Sequence, residues 1–444
     1  MHTLPGFVPT FAHPEEFKRI LGRFPVVMGK VVIQGFAKPP CRPRTRSFPQ
    51  FGAPMLPHPP PTQGVALIGQ LDWPQNLYIA QALHEAGWQV RILTEGIQPK
   101  EFKGWLDVHH VNAGDERMLS DMILQLAQNP DVRWILPLDE AAIATCHRTL
   151  TCRDKLLPQI PDADLSMLQK KSAMARFALS LGIPVPDWFH VQGPDEALHI
   201  ADGMGYPVVL KGEQGNGGSQ VVICDDARAL RDGLQKLKHH DTVLQRHVSG
   251  RNWACGGFFH RGVLTHIHGY EIVEQHPPGL GAATFIRHEQ SPAMVQALEA
   301  MGSAMTWTGY MQADFIRDDH GTFWFLEINP RPWGSITAAQ AAGTPIFSPL
   351  IDTLAGRVPQ PWRTDDRGWS AHVFPKPLLQ LAYKRRGLRM LQTLLSPAFW
   401  RGAPRTSSNL MRYFFKVMYW YWTGPRDWKA NHLAPKALGS SPRV

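Results

Sequence analysis

ADFIRDDHGTFWFLEINPRPWGS, residues 313–335, is the stretch from which the fold and the chemistry of this chain can both be read. Asp314 sits among Ala313, Phe315 and Ile316, and the apolar run Thr322–Asn329 closes on Glu327 and Asn329, with Asp-Asp-His-Gly between the two runs. Two apolar runs around such a turn signal predict a β-hairpin. Along a strand, i and i+2 share a face, so Glu327 and Asn329 are expected to project together, and hairpin pairing is expected to bring Asp314 beside them. Two carboxylates and an amide oxygen in one place suit a hard divalent cation such as Mg²⁺, which keeps positions open for phosphate and water. Arg331, a further i+2 step along, offers a planar cation for phosphate oxygens. A surface hairpin of solvated charges would show the same letters. It is disfavoured because these polar groups interrupt an otherwise apolar strand, where an unpaired carboxylate is costly and a bound cation would compensate it.

A second segment points the same way. In YPVVLKGEQGNGGSQVVIC, residues 206–224, Pro207–Leu210 is a short buried-strand candidate ending at Lys211. Gly215, Gly217, Gly218 and Ser219 form a loop before a second strand, Gln220–Cys224. No helix opens directly after the glycines, so this is neither a Walker P-loop nor a Rossmann fingerprint. Glycines let backbone N–H groups close on phosphate oxygens, and the preceding lysine adds a point charge. Alone, such a segment is a turn. With the carboxylate hairpin about a hundred residues later, it predicts a nucleotide and a metal.

Both segments resemble the ATP-grasp superfamily of carboxylate–amine ligases and carbamoyl-phosphate-synthase-like proteins. The resemblance extends to KKSAMARFALSLGIPVPDW (170–188), with a lysine at a helix start and a Gly-Ile-Pro-Val-Pro exit, and to DTVLQRHVSGRNWACGGFF (241–259), similar to that family's adenine hinge. It covers roughly residues 160 to 350 and departs at three places. Lys170-Lys171 stands where Asp-Lys is usual, Gln245 replaces a glutamate, and Asn252 replaces an acidic residue.

The resemblance implies that Lys171 and Lys211 hold ATP phosphates under the loop Gly215–Ser219, that Gln245 to Val248 meets adenine, and that Asn252 meets ribose. It also implies that Asp314, Glu327 and Asn329 bind Mg²⁺ (or Mn²⁺), and that Arg331 and Lys211 stabilise charge on the moving phosphoryl group. A substrate carboxylate would become an acyl phosphate, and an amine would displace phosphate. A bicarbonate-activating carboxylase or carbamoyl-phosphate-type enzyme stays open, as does a non-catalytic ATP-binding module docked through its tail.

The implied architecture is α/β and α+β, with a Rossmann-like N-terminal lobe before an ATP-grasp fold of two lobes clasping ATP. The expected divisions are 1–63, proline-rich, basic and poorly ordered; 64–160, the Rossmann-like lobe; 161–356, the ATP-grasp domain; and 357–444, a basic, aromatic, helical extension. VALIG, NLYIAQALHEAG and WQVRILTE, from Val65 to Glu95, read as a βαβ unit and hence a parallel sheet. Trp134–Pro137 repeats a strand signature before Asp139-Glu140, and without GxGxxG a dinucleotide is not expected. Glycine and proline density in GYEIVEQHPPGLGAATFIRHEQSP, residues 269–292, predicts a mobile loop over a phosphate site, from which Arg287 would reach a phosphoryl group or a substrate carboxylate. His266, His268, His276 and His288 fit no zinc spacing and are expected to be ordinary polar residues.

The chain has 444 residues and a net charge of +9. Residues 376–444 hold thirteen Lys/Arg and one acid, residues 1–63 hold eight Lys/Arg and two acids, and the remainder carries −9. An acidic core between basic flanks disfavours nucleic acid as the partner of the core, whatever the overall pI suggests. Five scattered cysteines without a CxxC pair suit a reducing cytoplasm. Phe24 to Phe36, broken by Lys30, lacks a signal-peptide layout. Leu378–Leu395 reads as one amphipathic helix bearing Lys384, Arg385, Arg386 and Arg389. The aromatic run Leu410–Trp422 is too short to span a bilayer. It is expected either to pack on the catalytic core or to make a peripheral contact with anionic membrane. The expected partners are small carboxylate and amine substrates and a second copy of the chain.

Overall fold

The computed structural model describes residues 63–403 except 72, 96–103, 113, 161–164, 166, 214–219, 239, 277–280, 363–368 and 385, together with 411, 412, 414, 415 and 418. The proline-rich segment up to residue 62 and the loop with Gly215, Gly217, Gly218 and Ser219 therefore lie outside the described residues.

Three sheets organise the rest. The first is parallel, in the order β3-β2-β1-β4. It is built from β1 (Gly64–Ile68), α1 (Pro74–Glu85), β2 (Gln89–Thr94), β3 (Leu106–His110), α2 (Glu116–Gln128), β4 (Val132–Pro137) and α3 (Glu140–Thr149). GVALI is buried at all five positions, as expected of a central parallel strand covered on both faces. Asp115 and Asp139 cap α2 and α3, accepting from the backbone N–H of Met118 and Ala142 at 2.9 and 2.8 Å. The strand signature gives no sign of β3, because at the sheet edge only Leu106 of LDVHH is buried.

The second sheet is antiparallel, ordered β5-β8-β6-β7. It follows α4 (Lys171–Ser180) and contains β5 (Trp188–Val191), α5 (Pro194–Met204), β6 (Val208–Gly212), β7 (Val221–Cys224), α6 (Ala227–Lys236) and β8 (Thr242–Arg246). Leu210, Cys224 and Leu244 pack against Ala201 and Leu230 of the two helices. On the other face Val209, Lys211, Ile223 and Gln245 open onto a cleft.

Across that cleft stands the third sheet, six antiparallel strands in the order β13-β12-β9-β10-β11-β14. Its elements are β9 (Arg251–His260), β10 (Val263–His276), β11 (Ala282–His288), α7 (Pro292–Ala304), β12 (Gly309–Arg317), β13 (Phe323–Asn329), α8 (Ile336–Ala341), α9 (Ser348–Leu354) and β14 (Ser370–His372). One face carries Ala313, Phe315, Phe325 and Ile328 against Ala175 and Ala178 of α4 and Leu298 and Met301 of α7. Trp253 and Cys255 alternate with Ala254 in β9, so successive side chains enter opposite cores.

The described parts of residues 269–292 are mostly strand, not loop. Gly269–His276 belongs to β10 and Ala282–His288 to β11, paired from Tyr270↔His288 to His276↔Ala282. Residues 277–280 of the Gly/Pro cluster lie outside the described residues, whereas the flanks carry aromatic and β-branched residues that pair well across strands. His266, His268 and His288 are buried within this sheet. No group of three or more His, Cys, Asp or Glu placed to hold a metal occurs among the described residues.

Leu378–Leu395 is likewise two helices, α10 (Lys376–Tyr383) and α11 (Gly387–Leu395), followed by α12 (Pro397–Arg401). Leu378 and Ala382 of the first helix and Met390 and Leu394 of the second reach one core. That core joins α1, Trp333 and the tail: the Phe414 ring lies 5.8 Å from Tyr78 and 5.6 Å from Phe374, and Met418 is buried. The described part of the aromatic run is thus packed on the body of the protein. Leu388, Leu391 and Leu395 of α11 remain 59%, 42% and 73% exposed beside Arg386 and Arg389. No helix among the described residues is long and apolar enough to cross a membrane.

Candidate active site

Asp314 pairs directly with Glu327 across β12 and β13, and Gln312 pairs with Asn329. The register shifts just beyond Asp314, where Phe315 pairs with Phe325, leaving Leu326 as the extra residue of a β-bulge. Phe325 consequently joins the α4/α7 core, while Leu326, Glu327 and Asn329 line the cleft with Gln312 and Asp314. In a regular strand, Phe325 and Glu327 would share a face. The bulge separates the apolar side chain from the carboxylate.

Hydrogen bonds lock the group. Gln312 donates from Nε2 to Asp314 Oδ1, and Asn329 Nδ2 donates to Asp314 Oδ2 at 3.0 Å and to Gln312 Oε1 at 2.7 Å. Asn329 Oδ1 accepts from Arg331 Nη2 at 3.2 Å. Burial, and then the Glu327 charge, push the Asp314 carboxyl up to about 7, against the Gln312, Arg331 and Asn329 interactions that lower it.

Two lysines face these carboxylates. Lys171, the first residue of α4, brings Nζ to 3.9 Å from Glu327 Oε2, and it is Lys171, not Lys170, that lines the cleft. Lys211 comes from β6 opposite. Burial lowers its pKa to about 8, with Lys171 adding to that effect and Glu327 and Asp314 opposing it. The start of α4 is fastened to the end of β6 by Glu213, whose carboxylate accepts from the Ser172 N–H at 2.9 Å, from the Ser172 hydroxyl and from His190 Nε2 at 3.0 Å. Burial alone would raise the Glu213 pKa, but the Ser172 and His190 donors outweigh it and the net shift is downward.

Gln245, Val248 and Asn252 line the same cleft, whose volume is about 400 Å³ and within the usual range for small-molecule sites. Gln245 is buried in β8 between Trp188 of β5 and Val209 of β6. Asn252 is the second residue of β9, opposite Ile316 of β12. The structure therefore brings Lys171, Lys211, Gln245, Val248, Asn252, Asp314, Glu327, Asn329 and Arg331 to one cleft.

Arg287 is excluded from this group. It is a strand residue of β11 that donates to Glu271 Oε2 at 2.8 Å, while Arg251 donates to the other oxygen at 3.1 Å, and it is absent from the cleft lining. The Glu271 carboxylate is buried between two arginines, so Arg287 belongs to a local ion triad.

Four cleft-side residues escaped the sequence reading. Gln312 had an available signal, since it lies two positions before Asp314 on the same strand face. Glu140 accepts from Arg331 Nε at 2.8 Å, and the Arg331 guanidinium lies 5.5 Å from the centre of the Trp73 ring. Glu140 opens α3 at the carboxyl end of β4, a position from which parallel sheets present side chains to ligands. Lys376 reaches the cleft from α10, and Trp333 stacks on the backbone of Gly256, where an added Cβ would lie 2.8 Å from the ring.

Residues 169–335 match the profile of the ATP-grasp domain. A 194-residue segment, 38% of the chain, is 25% identical to the mitochondrial methylcrotonoyl-CoA carboxylase subunit alpha of Dictyostelium discoideum and covers 27% of it. For the first three curated relatives, the matched part spans 21% to 40% of their own length. The fold is similar to that of L-amino acid ligase from Bacillus licheniformis, with a TM-score of 0.56 at 16% identity over 70% of this chain and 79% of that one. It is also similar to the biotin carboxylase domain of Hydrogenobacter thermophilus 2-oxoglutarate carboxylase, solved with MgADP and bicarbonate, with a TM-score of 0.54 at 16% identity over 68% and 72%.

Proposed function

We propose, from the match of residues 169–335 to the ATP-grasp domain profile, that this protein is an ATP-dependent ligase that activates a substrate carboxylate as an acyl phosphate and couples it to an amine. The observation that carries the proposal is the gathering of Asp314, Glu327 and Asn329 on one sheet face, beside Lys171 at the start of α4 and facing Lys211 of β6 across the cleft.

The donor set fits magnesium. Asp314 and Glu327 are two opposed carboxylates whose mutual repulsion a divalent cation would relieve. Asn329 now turns its N–H towards Asp314 and its oxygen towards Arg331, so it would contribute an oxygen ligand after rotation of its amide. When bound, the metal would neutralise charge on the β- and γ-phosphates. Lys171 and Lys211 would hold phosphate oxygens from two directions. The hinge at Gln245–Val248 would meet the base, and Asn252 the ribose.

Arg331 would stabilise charge as the substrate carboxylate oxygen bonds to the γ-phosphorus and the bond to the β,γ-bridging oxygen breaks, releasing ADP. The amine nitrogen would then attack the acyl carbon and lose its proton as phosphate leaves. Exclusion of water by the closed lobes would protect the acyl phosphate from hydrolysis. The proposed setting is the cytoplasm. Peripheral contact with anionic membrane through residues 376–444 is supported by the exposed Leu388, Leu391 and Leu395 beside Arg386 and Arg389.

The test is ADP release across a panel of amino acids, hydroxy acids and sugar acids, with hydroxylamine present to trap an acyl phosphate. Glu327→Ala is expected to abolish ADP formation while the circular dichroism spectrum is unchanged. Retained turnover would remove the metal assignment. ADP release that requires bicarbonate and no organic acid would assign the carboxylase chemistry instead.

A further inference from the structure

We infer that Glu213 is a positioning residue: it anchors the start of α4 to the end of β6 and so holds Lys171 in register with Lys211 across the two sides of the cleft. That role rests on the nucleotide reading of the cleft, which gives both lysines to one triphosphate.

The two lysines belong to different packing units. Lys211 lies in β6, whose Leu210 is buried in the core of the second sheet. Lys171 opens α4, and Ala175 and Ala178 of that helix are buried with Phe325 and Ile328 of the third sheet. The exit from α4 is tied to the same sheet, because the Phe325 N–H donates to the Pro184 carbonyl at 2.8 Å. Lys171 is therefore carried with the metal carboxylates, and Lys211 with Gln245 in the strand paired to β6. A change in the angle between the sheets would alter the distance between the two ammonium groups.

Glu213 spans that boundary. It directly follows β6 and is 4% exposed. Its carbonyl accepts from the Lys171 N–H at 3.1 Å, and its carboxylate accepts from the Ser172 N–H at 2.9 Å and from the Ser172 hydroxyl. Glu213 and Ser172 are 41 positions apart in the chain. On its other side, the Glu213 N–H donates to the Asp241 carbonyl at 2.8 Å, one residue before β8. His190 of β5 brings Nε2 to 3.0 Å from the same carboxylate. Glu213 thus bonds to two strands of its own sheet and to a helix of the other packing unit.

A helix leaves its first N–H groups without intrahelical partners. Lys170, the N-cap residue of α4, makes no side-chain cap, and Glu213 meets those groups instead. Its negative charge also suits a helix N-terminus. A serine or aspartate at position 170 would cap the helix locally. A buried carboxylate supplied from the end of β6 gives the same cap and also fixes where α4 begins relative to Lys211. Neither Glu213 nor Ser172 is among the described residues that line the cleft, so Glu213 acts through the lysines and not on the ligand.

Two measurements on the full-length protein test the role. Without nucleotide, amide exchange at Ser172 is expected to rise at least about tenfold in Glu213→Ala, because its acceptor is removed. With Mg²⁺ present, titration calorimetry of β,γ-imido-ATP is expected to show at least about tenfold weaker binding in Glu213→Ala. Glu213→Gln, which keeps an acceptor for the Ser172 N–H, is expected to lose less than about threefold. In a Lys171→Met background, Glu213→Ala should cost less than about twofold more, since residues that act through one another are not additive. Ser172→Ala is expected to follow the same pattern at about threefold, and carries the cycle if Glu213→Ala does not fold.

Unchanged exchange at Ser172 overturns the anchor. An undiminished loss in the Lys171→Met background overturns the positioning role, because an effect independent of Lys171 is an effect on the fold. Unchanged affinity in Glu213→Ala overturns it as well. A wild-type protein that does not bind β,γ-imido-ATP at all would instead remove the nucleotide reading, and the positioning role with it.

Discussion

Asp314 faces Glu327 squarely across two paired strands, although Phe325, two residues before Glu327, points to the opposite side of the sheet. The β-bulge at Leu326 makes both statements true. It lets β13 feed an aromatic ring into the α4/α7 core and, one step later, present a carboxylate to the cleft. The arrangement holds two acids close together on a partly buried face, which raises the Asp314 pKa to about 7.

A folded-state pKa raised above the unfolded value means that proton binding favours the native state. The associated stability is complete below the unfolded carboxylate range and is lost as pH rises through about 7. Asp314→Asn, which keeps the shape and removes the charge, is therefore expected to unfold at a higher temperature than the wild type at pH 8 without metal, with a smaller difference at pH 5. Thermal unfolding at the two pH values checks this, and an equal or lower transition for the variant at pH 8 would contradict it. The same variant should lose ADP formation.

Proton and cation would compete for the same carboxylate. Affinity for Mg²⁺ in the presence of ADP should fall as pH drops below about 7, approaching about tenfold per pH unit, and level off above it. Titration calorimetry at pH 6, 7 and 8 measures the slope. A flat profile would mean that Asp314 is not a ligand.

Glu140 holds Arg331 from the first lobe at 2.8 Å. Glu140→Gln keeps a hydrogen-bond acceptor but not the charge, and is expected to lower kcat about 10- to 100-fold through misplacement of the guanidinium. The KM for ATP should change little, because the phosphate lysines are untouched. An effect confined to KM would assign Glu140 to binding instead.

Phe414 is buried between Tyr78 of α1 and Phe374 near α10. Phe414→Ala should destabilise the protein by about 3–5 kcal/mol, the usual cost of removing a buried phenyl ring. Denaturant unfolding measures it. A loss below about 1 kcal/mol would show that the tail does not share the core.

Much of the site was legible along the chain because its signals are local. Glu327, Asn329 and Arg331 are spaced by two within an apolar run, and Lys211 ends a buried strand before glycines. The strand–helix–strand pattern from Val65 to Glu95 is likewise local and matches β1, α1 and β2. Residues 269–292 misled because the Gly/Pro composition of 277–281 was extended to flanks that pair as β10 and β11. Arg287 was misplaced with them: a strand residue points to one side only, and its side carries Glu271.

Sequence by itself determined the chemistry on offer: which oxygen donors and cations the chain carries, and that alternation along a strand would present Glu327 with Asn329. Such patterns survive because the backbone repeats every two residues whatever surrounds it. Tertiary structure decided the partners. Glu140 meets Arg331 across 191 positions and Lys376 reaches Gly334 from a C-terminal helix, contacts set by how sheets and helices stack. The bulge that turns Phe325 away from Glu327 was decided there too, since one face of the strand meets the α4/α7 core and the other the cleft.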